Sequence, residues 1–116
     1  MDSSLLVKSK QFALDIIKVC NKVKSEKSES KHTNQLNRSG TRIGANIREA
    51  KYAHSKADFI SKLQISLKEC YETEYWLELM LKAELLQEDV AKVLLHDCGS
   101  IRRMLVSSIN TIKSKE

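Results

Sequence analysis

Two sets of side chains in this sequence could do chemistry. The first is basic: Arg38, Arg42 and Arg48 recur through residues 35–50, and Lys51 and Lys56 follow. A guanidinium presents parallel N–H donors that fit phosphate or carboxylate oxygens, and helical spacing lets several arginines track a chain of phosphates. The second set is acidic: Glu69, Glu72 and Glu74, with Glu78, Glu84, Glu88 and Asp89 beyond. The basic set therefore has two uses. It can hold an anionic polymer, or it can form ion pairs with the acidic helix, within one molecule or between subunits.

Catalysis has little to rest on. His32, His54 and His96 share no ligand spacing, and His54 falls on an apolar helical face, where a core or boundary role is expected. There is no P-loop, dinucleotide fingerprint, nucleophile elbow or HExxH. Paired carboxylates in helical bundles can bind two metals, but those sites use ExxH motifs from facing helices, and no ExxH is expected here. Glu69 and Glu72 are neighbours on one helical face. Glu74 falls in a core stripe, so it needs a partner, protonation, or a roll of the helix that frees it to solvent. Cys20, Cys70 and Cys98 are far apart and on apolar faces, as expected of buried, reduced thiols.

The elements that must position these groups are helices. The 116 residues include no Pro and three Gly, with 41% apolar and 30% charged residues, which fits one all-α domain spanning 1–116. Periodicity predicts four helices. The first covers about Ser4 to Lys24 and ends in a polar loop, residues 25–32. Thr33 is the expected N-cap of the second, which runs to about Ala53 with Leu36, Gly40, Ile43, Ile47, Ala50 and His54 on one face. Gly40 and Gly44 each cost roughly 1 kcal/mol within a helix, so close packing of a neighbour is the expected compensation. Ser55-Lys56-Ala57-Asp58 resembles a capping box and opens a third helix to about Leu86.

That third helix has a core stripe of Phe59, Leu63, Leu67, Cys70, Leu77, Leu81 and Leu85. Ile65, Trp76, Met80 and Ala83 form a second apolar face, which calls for a second partner such as another subunit. A fourth helix, about Gln87 to Ser114, contains Gly99. Short connections between helices of similar length predict an antiparallel up-down four-helix bundle.

The charge is uneven. Residues 1–58 carry 12 Lys/Arg against 6 Asp/Glu, and residues 59–116 carry 8 against 9, for a net +5. A basic first half points to an anionic partner or to the acidic helices beside it. Of aromatic stacking platforms only Tyr52 sits near the basic face, so binding to nucleic acid should be mainly electrostatic or shape-based. No apolar run approaches the ~20 residues of a membrane span. No secretory signal is read at the start, and a cytoplasmic location is expected.

Several motifs resemble one family when taken together: Gln35-Leu36, Arg38-Ser39-Gly40-Thr41, Ile43-Gly44-Ala45-Asn46, Glu49-Ala50, Asp58-Phe59, Leu67-Lys68-Glu69, Glu72-Thr73 and Tyr75-Trp76-Leu77. They resemble the bacterial four-helix bundle proteins first noticed as products of intervening sequences in 23S rRNA genes. The resemblance covers nearly the whole chain. It implies a bundle that assembles into a ring, a homopentamer. It also implies kinship with the accessory proteins of diversity-generating retroelements, which bind a reverse transcriptase and nucleic acid. Arg42 departs from the pattern, which has a small residue there, usually Ser.

The expectation is a non-enzymatic, ring-forming bundle that binds RNA or a ribonucleoprotein. Arg38, Arg42, Arg48 and Lys51 would carry the binding, joined by Lys18 and Lys22 of the first helix. Ile65, Trp76 and Met80 would form the subunit contact. The alternative is a protein-interaction adaptor, for example for a reverse transcriptase, without nucleic-acid affinity of its own. No cofactor, metal or membrane partner is expected.

Overall fold

A computed structural model describes residues 3–115 as four helices: α1 (Ser3–Lys27), α2 (Lys31–Lys51), α3 (Lys56–Lys82) and α4 (Glu88–Ser114). Met1, Asp2 and Glu116, part of the single-domain span expected from the sequence, lie outside the described residues. Each helix packs on its neighbours in sequence, and α4 closes on α1, while the backbones of the two diagonal pairs do not approach. Neighbours run in opposite directions. Ile16 faces Gly40 and Ser9 faces Gly44 between α1 and α2, while Arg38–Glu72 and Arg42–Glu69 join α2 to α3. A 27-residue helix is about 40 Å long, and the bundle measures 49 × 21 × 20 Å.

Buried apolar stripes hold the four helices together. Leu5, Phe12 and Ile16 of α1, Leu36, Ile43 and Ile47 of α2, Leu63 and Leu77 of α3, and Ile101 and Leu105 of α4 belong to one buried cluster. Each such side chain contributes roughly 1.5–3 kcal/mol on burial. The core face of α3 is turned toward α2 relative to the expected stripe. Ile60, Ser66, Thr73 and Met80 are buried, whereas Phe59, Leu67, Leu81 and Leu85 are only partly so. The polar members are satisfied. Ser66 Oγ donates to the Ile43 carbonyl at 2.8 Å, and Thr73 Oγ1 lies within hydrogen-bonding distance of the Glu69 carbonyl (2.7 Å) and Ser39 Oγ (3.0 Å).

The helix ends correct several expectations. Thr33 is not the N-cap of α2 but sits inside its first turn, fully buried. The cap is supplied by Glu29, whose carboxylate accepts from the His32 and Thr33 backbone N–H groups, each at 3.1 Å. Burial pushes the Glu29 carboxyl up, but these hydrogen bonds, with those from the His32 and Thr33 side chains, outweigh it and hold it at about 2. At α3 the cap is as expected on its Ser half, with Ser55 Oγ accepting from Asp58 N–H at 3.1 Å. Asp58 Oδ2 accepts from His54 N–H at 3.2 Å.

α3 stops at Lys82 rather than Leu86 because Glu84 turns left-handed, at φ 61°. The Leu85 N–H then reaches the Met80 carbonyl at 2.9 Å and the Glu84 N–H the Leu81 carbonyl at 3.1 Å. That is a Schellman ending, which usually employs glycine. His54 lies exposed in the turn after α2, not on its apolar face.

Candidate nucleic-acid interface

α2 has unlike neighbours on its two sides, and this divides the expected basic face. Toward α3, Arg38 bonds Glu72 at 2.9 Å and Arg42 bonds Glu69 through Nε at 2.8 Å; Glu49 of α2 lies 3.5 Å from Lys62. Glu69 is buried, and its second oxygen has no hydrogen-bond partner, so the Arg42 contact is what offsets the cost of enclosing that carboxylate. Arg38 and Arg42 are half-exposed, but each is already matched to a carboxylate.

Toward α1 the seam is built from small residues. A Cβ placed on Gly40 would lie 2.9 Å from Ile16 Cγ1, and one on Gly44 would lie 3.2 Å from the Ser9 carbonyl oxygen. Above this close approach the helices leave a groove of about 380 Å³. Its cations are Lys10, Arg48 and Lys51, its apolar wall is Leu6, Ala13 and Ala45, and Tyr52 stands at one end. Among the described residues, none that lines it is acidic. The Lys51 ammonium lies 5.7 Å from the centre of the Tyr52 ring. Arg48 and Lys51 fall in the last turn of α2, where the partial negative charge of the free carbonyls favours cations even without an external partner.

The two lysines expected on α1 are elsewhere. Lys18 borders a depression between α1 and α4 with Asp15 and Asp89, and Lys22 lines another with Glu26, Glu84 and Glu88. Of the six expected binding residues, the structure brings only Arg48 and Lys51 together in a cleft that holds no acid among the described residues. Lys10, the third cation, was missed. Its signal in the sequence is its place one turn before Ala13, the small residue that opens the groove.

The outer face of α3 is also revised. Ile65 is exposed and Trp76 is partly buried, its Nε1 3.4 Å from Glu72 Oε1 and its ring 6.0 Å from that of His32. Met80 has no surface to offer, being 1% exposed within the core. Leu79 and Tyr75 take its place, at 38% and 57% exposure. Leu79 lies two heptads beyond Ile65, a spacing that keeps it on the same side of the helix.

The remaining reactive groups are used structurally. Glu74 stays in the bundle by accepting from Arg102 Nε at 2.9 Å. Contrary to the expectation of no ExxH, Glu29 and His32 have that spacing, and His32 Nδ1 lies 3.0 Å from the carboxylate that caps α2. Among the described residues, no three His, Cys, Asp or Glu gather closely enough to hold a metal ion. All three cysteines are free and buried. Burial pushes the Cys20 thiol up to about 11 against the pull of Lys24. The Cys98 thiol is raised by its contact with Cys70 and by burial.

The sequence profile of the 23S rRNA-intervening sequence proteins matches residues 1–107. The chain belongs to that family. A solved structure from Bacteroides thetaiotaomicron, described as a protein of unknown function from the S23 ribosomal protein family, is 44% identical. The match covers 90% of this chain and 97% of that one, with a TM-score of 0.89. No curated protein matches the chain. No helix among the described residues of this intervening-sequence family member is long and apolar enough to cross a membrane.

Proposed function

We propose that this protein is a non-enzymatic RNA-binding bundle whose contact with RNA is the groove between α1 and α2. The observation that carries this reading is a cleft whose lining holds Lys10, Arg48 and Lys51 and, among the described residues, no carboxylate. Phosphate oxygens supply the missing charge, and arginine and lysine contacts to phosphate make affinity strongly salt-dependent. Arg38 and Arg42 extend the positive surface across α2 but spend most of their charge on Glu72 and Glu69.

The bundle assembles with copies of itself through the outer stripe of α3, where Ile65, Tyr75 and Leu79 remain exposed beside Trp76. A ring built this way repeats the groove around its circumference, so weak sites act together. Leu79→Glu lowers the assembly mass in light scattering; an unchanged mass removes α3 from the interface.

The test of function is fluorescence anisotropy with a structured RNA at low and moderate salt. Binding should weaken steeply with salt and fall much further in Arg48→Glu than in Arg38→Ala. Absence of binding at low salt transfers the reading to a protein-interaction adaptor, for example for a reverse transcriptase.

A further inference from the structure

We infer that the α1–α2 groove accepts an unpaired nucleobase against Tyr52, so that the protein prefers single-stranded RNA to duplex; this rests on the RNA-binding reading above.

Three observations support it. First, the groove has room for one nucleotide. It exists because Ser9, Ala13, Gly44 and Ala45 are small where α1 and α2 meet, and its volume of about 380 Å³ suits one flat ring with its sugar. An A-form duplex keeps its bases stacked inside and can only rest across such a groove, whereas unpaired bases can be splayed into it.

Second, the lining combines the two kinds of contact that a nucleotide needs. Leu6, Ala13 and Ala45 supply an apolar wall, and the cations Lys10, Arg48 and Lys51 share that lining. A site for phosphates alone has no use for an apolar wall, since it desolvates nothing that needs to be buried.

Third, Tyr52 is 67% exposed although it ends a helix whose core residues are fully enclosed. Its backbone N–H is bound to the Glu49 carbonyl at 3.0 Å, which anchors the residue while its ring stays open to solvent. With Lys51 5.7 Å from the ring centre, cation and ring form one unit. Stacking on a tyrosine tolerates any base, so the preference is for strandedness rather than sequence.

The experiment compares a labelled oligouridine with a blunt RNA duplex of equal length, using the full chain at low salt. The single strand should bind more tightly. Tyr52→Ala should weaken it roughly tenfold and leave the duplex unchanged, and Tyr52→Phe should behave as the parent. Because Tyr52 lies outside the core, circular dichroism should be identical for all three proteins. If Tyr52→Ala changes neither affinity, or lowers both by the same factor, the base-stacking inference is overturned while the phosphate-binding groove stands. If neither RNA binds, the proposed function and this inference fall together.

Discussion

The two seams of α2 use similar residues to opposite ends. Against α3, Arg38 and Arg42 meet Glu72 and Glu69, and buried Ser39, Ser66 and Thr73 complete a polar contact. Against α1, the glycines draw the backbones together, and Arg48 lies in a groove without a carboxylate among the described residues. Arginines on one helix thus divide into structural and available ones according to what the neighbouring helix carries. The first group should set stability with little effect on binding, and the second should do the reverse.

The largest expected effect tests the polar seam. Arg42→Ala leaves Glu69 enclosed without a partner. Its cost should be about 2 kcal/mol, below the 3–5 of a fully buried pair because Arg42 is half-exposed. Urea unfolding measures this, and a loss under about 0.5 kcal/mol would break the distinction between the seams. Next is Gly40→Ala in the small-residue seam. The new methyl meets the branched carbons of Ile16 at 2.9 Å, and overpacking should outweigh the gain in helix propensity by about 1 kcal/mol.

Glu29→Ala probes the start of α2, outside both seams, and should cost about 1 kcal/mol as the loss of a cap. The Glu29 carboxyl is lowered from its ordinary 4.5 to about 2 in the folded chain. Its contribution is therefore complete above pH 4.5 and disappears as pH falls toward 2, so the parent and variant curves should converge over that window.

Gly99→Ala should stabilise by about 0.5–1 kcal/mol, since the tightest contact of a Cβ there, 3.2 Å, is with the movable guanidinium end of Arg103. The smallest change in stability, within about 0.5 kcal/mol, is expected for Arg48→Ala. The same variant should bind RNA markedly less well in anisotropy. Equal losses of stability in Arg48→Ala and Arg42→Ala would erase the difference between the two seams.

Much of the fold was legible because apolar spacing in long helices repeats many times. Leu36, Ile43 and Ile47 could be placed on a buried face from period alone, and they are fully enclosed. The ends were less legible. A glutamate capping from two residues before the helix, or Glu84 in the left-handed region, carries no strong local signal. His54 was misplaced because helix periodicity was continued past Lys51, where the chain already turns. On α3, apolar residues lie on two sides, so the choice between Met80 and Leu79 for the outer face turned on a small rotation of the helix.

By itself the sequence determined four amphipathic helices, their order and the concentration of positive charge in the first half, because period and composition are local properties. Which arginines are consumed by carboxylates was decided by tertiary structure. So was the joining of Lys10 to Arg48, Lys51 and Tyr52. Those pairings cross between helices and depend on how far each helix is rotated about its axis.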